Sequence, residues 1–523
     1  MSDDQKLRPT PKGVDLRVVV VACSAWLGTL LGLRLGPIES PVLGSRVSVM
    51  FAIATVVAFV ISKGILGLDV ALLIGASVVA AWISVLVAGS TASMFEGDPI
   101  QNVAAEQAYV RALVVVIGQP GPASSSWSTD TLVVELRTRA VCTSNVEDGS
   151  TECGVPSSVR LWGEVSGGAS LVDALIPGST LLVGGISSKE DWLSPPIAAR
   201  FKVTSYSVVE GAPRSQLWAA SLRRSMREAT TATGVAGPLI SGMAIGDDAL
   251  MSAELRESML ISSLTHLTAV SGSHIAISLA LVSRILRGRR RLQATAVCSF
   301  LVLVIIVVGP EPSVVRSVSM SGLAVWGTVR RRPSQPLGLL AVVALASVLI
   351  DPWLAISIGF ALSVSATAAI IVVAGPLERA LVQSLPEEGV TNKMGSLVAG
   401  TVSVAVSASS ATVPILALLN PWLPLWGIVA NLLVAPVVAP LTLLGLGAAL
   451  ASLFAPNLAG FLVKCAEPFA DWLVIVATRT ATLPLAKLPW PQGIGGLFLS
   501  VAVTIVAWGA VIALYRRLTN RTA

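Results

Sequence analysis

The chain has 523 residues, 54% of them apolar and 13% charged, with a net charge of +6; its mean hydropathy is +0.78. Soluble domains carry about 25% charged residues, so a water-soluble globule is excluded, and repeated apolar runs of membrane-spanning length make this a polytopic α-helical membrane protein. The positive balance does not by itself point to a nucleic-acid partner, because basic residues collect in the cytoplasmic loops of any such protein.

Lys6, Arg8, Lys12 and Arg17 precede the first apolar run. The flank is that of a signal peptide, but no small-residue cleavage site follows, so a retained helix is expected. Spans are expected over 18–35, 47–66 and 68–89, forming an N-terminal three-span bundle over 1–95. With the N-terminus inside, this bundle delivers the next region to the outer face.

Residues 96–212 change character. Short β-like runs at 108–117, 131–141, 159–165, 180–186 and 201–209 are separated by connectors such as Pro120-Gly121-Pro122 and Pro177-Gly178-Ser179. In the second run Leu132, Val134, Leu136 and Thr138 alternate with Val133, Glu135, Arg137 and Arg139, the period of a half-buried strand. Strands in this number and spacing suit an extracytoplasmic small β-barrel such as an OB-fold, or a spacer domain with no ligand. Cys142 and Cys153 lie in its polar part; if that part is outside the cell, a disulfide is expected to close it. Cys23, Cys298 and Cys465 lie in or beside apolar spans and read as small packing residues.

Residues 213–235 hold an amphipathic stretch, with Leu217, Trp218, Leu222 and Met226 opposed to Arg223, Arg224, Arg227 and Glu228, the pattern of a helix lying at the membrane interface. The remainder, 236–520, is a second transmembrane domain. Arginine clusters at 284–291, 330–332 and 516–521 are expected to be cytoplasmic, which puts both termini inside with about 12 crossings in all. The stretch 394–463 has no charged residue and reads as two spans, separated by the proline-broken segment Asn420–Trp426, expected to be half-inserted or interfacial.

Polar residues within or at the ends of these spans are Asp247, His266, Ser271, His274, Arg316, Asn431, Glu467 and Asp471. Such groups face a bundle interior or a wet path. The only two histidines of the chain, His266 and His274, are eight residues apart, which places them about 80° apart on a continuous helix. Metal binding favours spacings of three or four, and a rigid Ser271–His274 pair does not align as nucleophile and base; no metal, no cofactor and no enzymatic activity are therefore expected. Gly272 makes a break in the helix credible.

Gly246-Asp247, Thr265-His266-Leu267-Thr268-Ala269-Val270-Ser271-Gly272-Ser273-His274, Pro312-Ser313-Val314-Val315-Arg316, Asp351-Pro352-Trp353 with Gly359-Phe360-Ala361-Leu362-Ser363, and Asn431-Leu432-Leu433-Val434-Ala435-Pro436 follow one another in this order. Together they resemble the ComEC family of competence proteins. Thr265 stands where the family pattern has Ser, and Ser273 where it is commonly apolar. The resemblance implies a cell-membrane channel that passes single-stranded DNA into the cytoplasm during natural transformation. Under it His266, Ser271 and His274 line or gate the path, Asp247, Arg316, Asp351 and Asn431 brace it, and Arg137, Arg139, Arg160, Trp162 and Lys202 of the OB-like domain contact DNA. Implied partners are single-stranded DNA, membrane lipids, a DNA receptor, and a cytoplasmic helicase or ATPase. Many members carry a metallo-β-lactamase-like nuclease domain; no histidine-rich metal motif occurs in this sequence, so a separate nuclease is expected. A transporter of another polar solute, such as a lipid-linked sugar or drug-like molecule, and an intramembrane hydrolase are the competing classes.

Overall fold

A computed structural model describes residues 16–35, 68–122, 131–144, 151–166, 175–189, 196–268, 270–286, 288–330, 335–383 and 390–522. The expected span over 47–66 lies outside them. The chain divides into two compact units, one of residues 1–92 with 319–357 and one of 93–318 with 358–523.

In the first unit α1 (Arg17–Leu35) packs against α2 (Leu68–Glu96). A Cβ on Gly28 would lie 2.4 Å from the Ala81 carbonyl oxygen, so the two backbones meet where a side chain cannot fit. α2 runs about two turns past the expected end at 89, because Ser90 and Thr91 return their hydroxyls to the Val87 carbonyl rather than breaking the helix. The turn after Ile350 receives α1 through Trp26, whose Nε1 donates to the Ala355 carbonyl at 3.0 Å.

The second unit opens with α3 (Pro99–Ala105) and seven strands, β1 (Tyr109–Val116), β2 (Gly121–Pro122), β3 (Thr131–Ser144), β4 (Thr151–Pro156), β5 (Arg160–Ser166), β6 (Thr180–Ser188) and β7 (Ile197–Glu210). β1 pairs with both β3 and β6, β6 with β7, β7 with β5 in parallel, and β5 with β3, so these pairings return on themselves. The inward residues are the apolar members of the alternation: Val110, Val114, Leu136, Leu161, Leu181 and Phe201 form one core, closed at one end by Ile100 of α3. β4 has no counterpart in the sequence reading; it pairs beside β3 and carries Cys153 opposite Cys142, and the two form a disulfide.

Helices α4 (Arg214–Thr230), α5 (Gly237–Ile245), α6 (Ala253–Ile261), α7 (Gly272–Ile285), α8 (Arg290–Val308), α9 (Pro312–Val329), α10 (Pro336–Ile350) and α11 (Ile358–Ala369) follow. α9 straddles the boundary between the units and α10 belongs to the first, where α1 packs on it. A π-helical turn, Ile370–Ala374, joins α11 to α12 (Gly375–Gln383), and α13 (Val390–Leu419), α14 (Gly427–Ser452), α15 (Pro456–Ala481) and α16 (Gly493–Thr522) complete the chain. Among the described residues six helices are long and apolar enough to cross a membrane, over 17–34, 72–96, 291–308, 358–383, 395–419 and 427–452. The segment 420–426 is not helical: Trp422–Pro424 is a strand, β8, paired with β9 (Lys487–Pro489). α15 begins about ten residues before the expected span at 466, with Pro456 in its first turn, where a missing N–H costs nothing.

The core of the helical part is built by α4, α5, α6, α14 and α15. α4 differs from its expected orientation. Leu217 and Trp218 are exposed, whereas Arg223 is buried beside Leu222 and Met226.

Candidate functional site

The apolar stretch around the two histidines is not one helix. α6 stops at Ile261, where Ser262 returns its hydroxyl to the Ser258 carbonyl and Ser263 takes a left-handed conformation, φ +60°. The Leu264 N–H then closes the turn onto the Met259 carbonyl at 2.8 Å. A 3₁₀ turn, Thr265–Leu267, follows, with the Thr268 hydroxyl on the Thr265 carbonyl. α7 restarts with Ser271 as its N-cap, and the Ser271 N–H donates to Nδ1 of His274 at 3.2 Å. The imidazole thus fills the role that Glu or Gln has in a capping box. An accepting Nδ1 requires the neutral ring with its proton on Nε2. Thr265, His266 and Ser273 are exposed, Ser271 and Gly272 half-buried and His274 buried, and Ser273 shares a hydroxyl hydrogen bond of 2.7 Å with Ser271.

The other motif segments clasp this break. A Cβ on Gly242 of α5 would lie 2.3 Å from the Thr268 carbonyl oxygen, so the unwound backbone rests directly on α5. A Cβ on Gly272 would lie 2.7 Å from the Ser317 Oγ and 3.1 Å from a terminal nitrogen of Arg316, so the start of α7 rests on the first turns of α9. Arg316 is buried, and its Nε donates to the Ser363 Oγ of α11 at 2.8 Å. Asn431 of α14 donates to the Gly427 carbonyl at 2.8 Å and to that of Ser263 at 3.5 Å. Asp247, 3% exposed, follows Gly246, the left-handed cap of α5, and accepts both Nε and Nη2 of Arg227 at 2.6 and 2.7 Å. The structure therefore brings Asp247, Ser271, His274, Arg316 and Asn431 into one set of joints around the break. Asp351 belongs to the first unit, where its carboxylate accepts the Trp353 N–H as the cap of the turn Pro352–Ala355.

Arg223, Arg227, Ser363, Gln119 and Glu311 carry structural weight that sequence reasoning missed. The last carbonyls of α8 have no partner within their helix. Gln119 of the β domain reaches those of Val307 and Val308, Gln216 of α4 that of Ile306, and Arg223 that of Val307 at 2.8 Å. One helix end thus ties the β domain to α4. In the turn that follows, Glu311 is exposed at the surface, and desolvation by the protein around it, with the charges of Glu135 on β3 and Asp248, pushes its carboxyl up. Asp248 is itself pushed up by burial, opposed by its ion pair with Arg256.

The five residues expected to contact DNA share one outer face across β3, β5 and β7. Arg137 lies opposite Arg160, and Trp162 lies between Glu135 and Arg200. Much of that charge is answered locally: Arg160 pairs with Glu135, Arg200 with Glu164, and Arg139 with Glu210. Arg137 and Lys202 are exposed and make no ion pair among the described residues. Among the described residues no group of three His, Cys, Asp or Glu side chains is placed to hold a metal ion.

A bundle of apolar helices with an unwound polar segment among them, joined to a small β domain, defines a polytopic membrane protein. Residues 243–517, more than half of the chain, match the family described as Competence protein. The chain belongs to this ComEC-type family, whose role is DNA uptake in transformation. No curated protein and no solved structure matches it.

Proposed function

We propose that the chain is a cell-membrane channel that passes single-stranded DNA, with the unwound segment 262–271 on the wall of its path. A strand of phosphates cannot cross lipid bare, because each charge costs several kcal/mol there. The path must also bind weakly enough to release what it takes in. The observation that carries the reading is the separation of polar groups at the break. The accessible ones, Thr265, His266 and Ser273, are hydroxyls and an imidazole, while the fixed charges Asp247 and Arg316 are buried in joints. Such a wall is wet without being an anion trap.

The β domain is the strand's receiver in this reading. Its returning pairings, with β5 and β7 parallel, support an OB-type barrel. Arg137 and Lys202 offer phosphate contacts, and half-buried Trp162 a stacking surface. About 12 crossings with both termini inside, and a separate receptor, nuclease and helicase, complete the proposal. The test is uptake of labelled single strands by cells that carry the full chain with His266→Trp. The exposed position accepts the larger ring, so the chain should reach the membrane at normal levels while uptake falls at least tenfold. Unchanged uptake would remove His266 from the path.

A further inference from the structure

A cavity of about 240 Å³ lies where α4 meets α5. Arg227, Thr230, Thr231, Ser241 and Asp247 line it. The guanidinium turns Nε and Nη2 to Asp247, and its remaining N–H groups are not taken up by that pair. With the Ser241 hydroxyl they form a set of donors suited to phosphate oxygens, whereas the Thr230 and Thr231 hydroxyls already donate to the Met226 and Glu228 carbonyls. One exposed apolar side chain stands at its rim, Leu250 at 61%.

Charge points the same way. Arg223 and Arg227 both act on the one carboxylate of Asp247, while Asp248 is paired with Arg256. Two guanidinium groups against one carboxylate leave an excess positive charge in a largely buried place. Depth is fixed by α8. Its apolar stretch Arg291–Val308 is long enough to cross a membrane, and α4 docks on the carbonyls at its very end through Gln216 and Arg223. Arg227 is one turn further along α4, about 6 Å. A cationic pocket at the end of a span, with Leu250 exposed at its rim, has the composition of a headgroup site: phosphate inside, an acyl chain over the rim.

We propose that this pocket binds the phosphate headgroup of an anionic membrane phospholipid. Bound there, the lipid supplies the anion that Arg223 and Arg227 lack and fixes α4 against α5, independently of whether DNA passes the break.

The test uses the full chain in neutral detergent and reads its melting temperature. Short-chain phosphatidylglycerol should raise it in a saturable way, and phosphatidylcholine at equal concentration should raise it less. Thr231→Glu puts a carboxylate at the exposed rim and should weaken phosphatidylglycerol binding at least tenfold while the lipid-free melting temperature stays unchanged. Leu250→Ser, also exposed, should weaken it through the rim alone and serves if Thr231→Glu fails to fold. Equal phosphatidylglycerol shifts in wild type and both variants would overturn the site. A full shift from inorganic phosphate alone, or one from an oligonucleotide that Thr231→Glu abolishes, would replace the lipid with a free anion or with DNA.

Discussion

Gly242→Ala is the smallest change that tests whether the break is held in place by its neighbours. The added Cβ would lie 2.3 Å from the Thr268 carbonyl oxygen and 3.3 Å from the Asp248 Cβ. Ordinary contact begins near 3.4 Å, so α5 and the unwound segment must part by about 1 Å, and the obstructing atom is backbone, which has no rotamer to escape into. Overpacking of this kind costs about 1–3 kcal/mol. Thr268 lies between His266 and Ser271, so the displacement falls on the path itself. The control is Gly460→Ala on α15, where a Cβ meets nothing within 4 Å. There the only change is helix propensity, about 1 kcal/mol in favour of Ala. Both variants are expressed as full chains, and membrane level and transformation frequency are measured. Gly242→Ala should lower transformation at least tenfold per chain in the membrane, and Gly460→Ala should leave it unchanged. Equal behaviour of the two would refute the claim that α5 positions the break.

The Arg227–Asp247 pair lies between the exposed and buried limits, with the carboxylate 2% and the guanidinium 34% exposed. Losing one partner of a fully buried pair costs about 3–5 kcal/mol, and an exposed pair is worth about 0.2–1 kcal/mol. A denaturation cycle of Asp247→Asn and Arg227→Gln should therefore give a coupling of about 2 kcal/mol, and additive losses would show that the bidentate geometry is not maintained. For Glu311 the folded-state pKa is raised above its ordinary 4.5. The folded chain therefore binds the extra proton, and the stability this group contributes is present below about pH 4.5 and lost as pH rises through the raised value. Glu311→Gln should melt higher than wild type at neutral pH, with the difference vanishing under acid conditions; a difference that does not change with pH would contradict the assignment.

The β domain was legible because its signals are local. Alternation in Thr131–Ala140 and the connectors at Pro120–Pro122 and Pro177–Ser179 mark strands and their ends, and the observed strands fall within a few residues of them. Ser262 and Ser263, which end α6, and Ser271, which caps α7, act through local hydrogen bonds that composition alone does not show, so the break in the helix was legible only at Gly272. What holds the break was not. The contacts of Gly242 with Thr268 and Arg316 with Ser363 depend on how closely helices distant in sequence approach. α4 shows the cost of reading a helix alone: Arg223 belongs to the polar side by composition, yet it is buried because the end of α8, 84 residues away, needs a donor. Trp422–Pro424 likewise becomes a strand only because Lys487–Pro489 supplies its partner.

Ionised side chains within a membrane domain are expensive, and the ones near the break are placed where that cost is offset. Asp247 has Arg227, Arg223 has the terminal carbonyl of Val307, and Arg316 reaches the Ser363 hydroxyl. Each joins two helices, so the charges act as rivets. The break itself is left to groups that are polar and neutral, including a His274 whose capping contact exists only while its Nδ1 is unprotonated. Reversing this allocation, with fixed charges on the wall and hydroxyls in the joints, would bind a polyanion tightly and hold the wall loosely. The arrangement in this chain does the opposite, as the proposed path for a charged polymer requires.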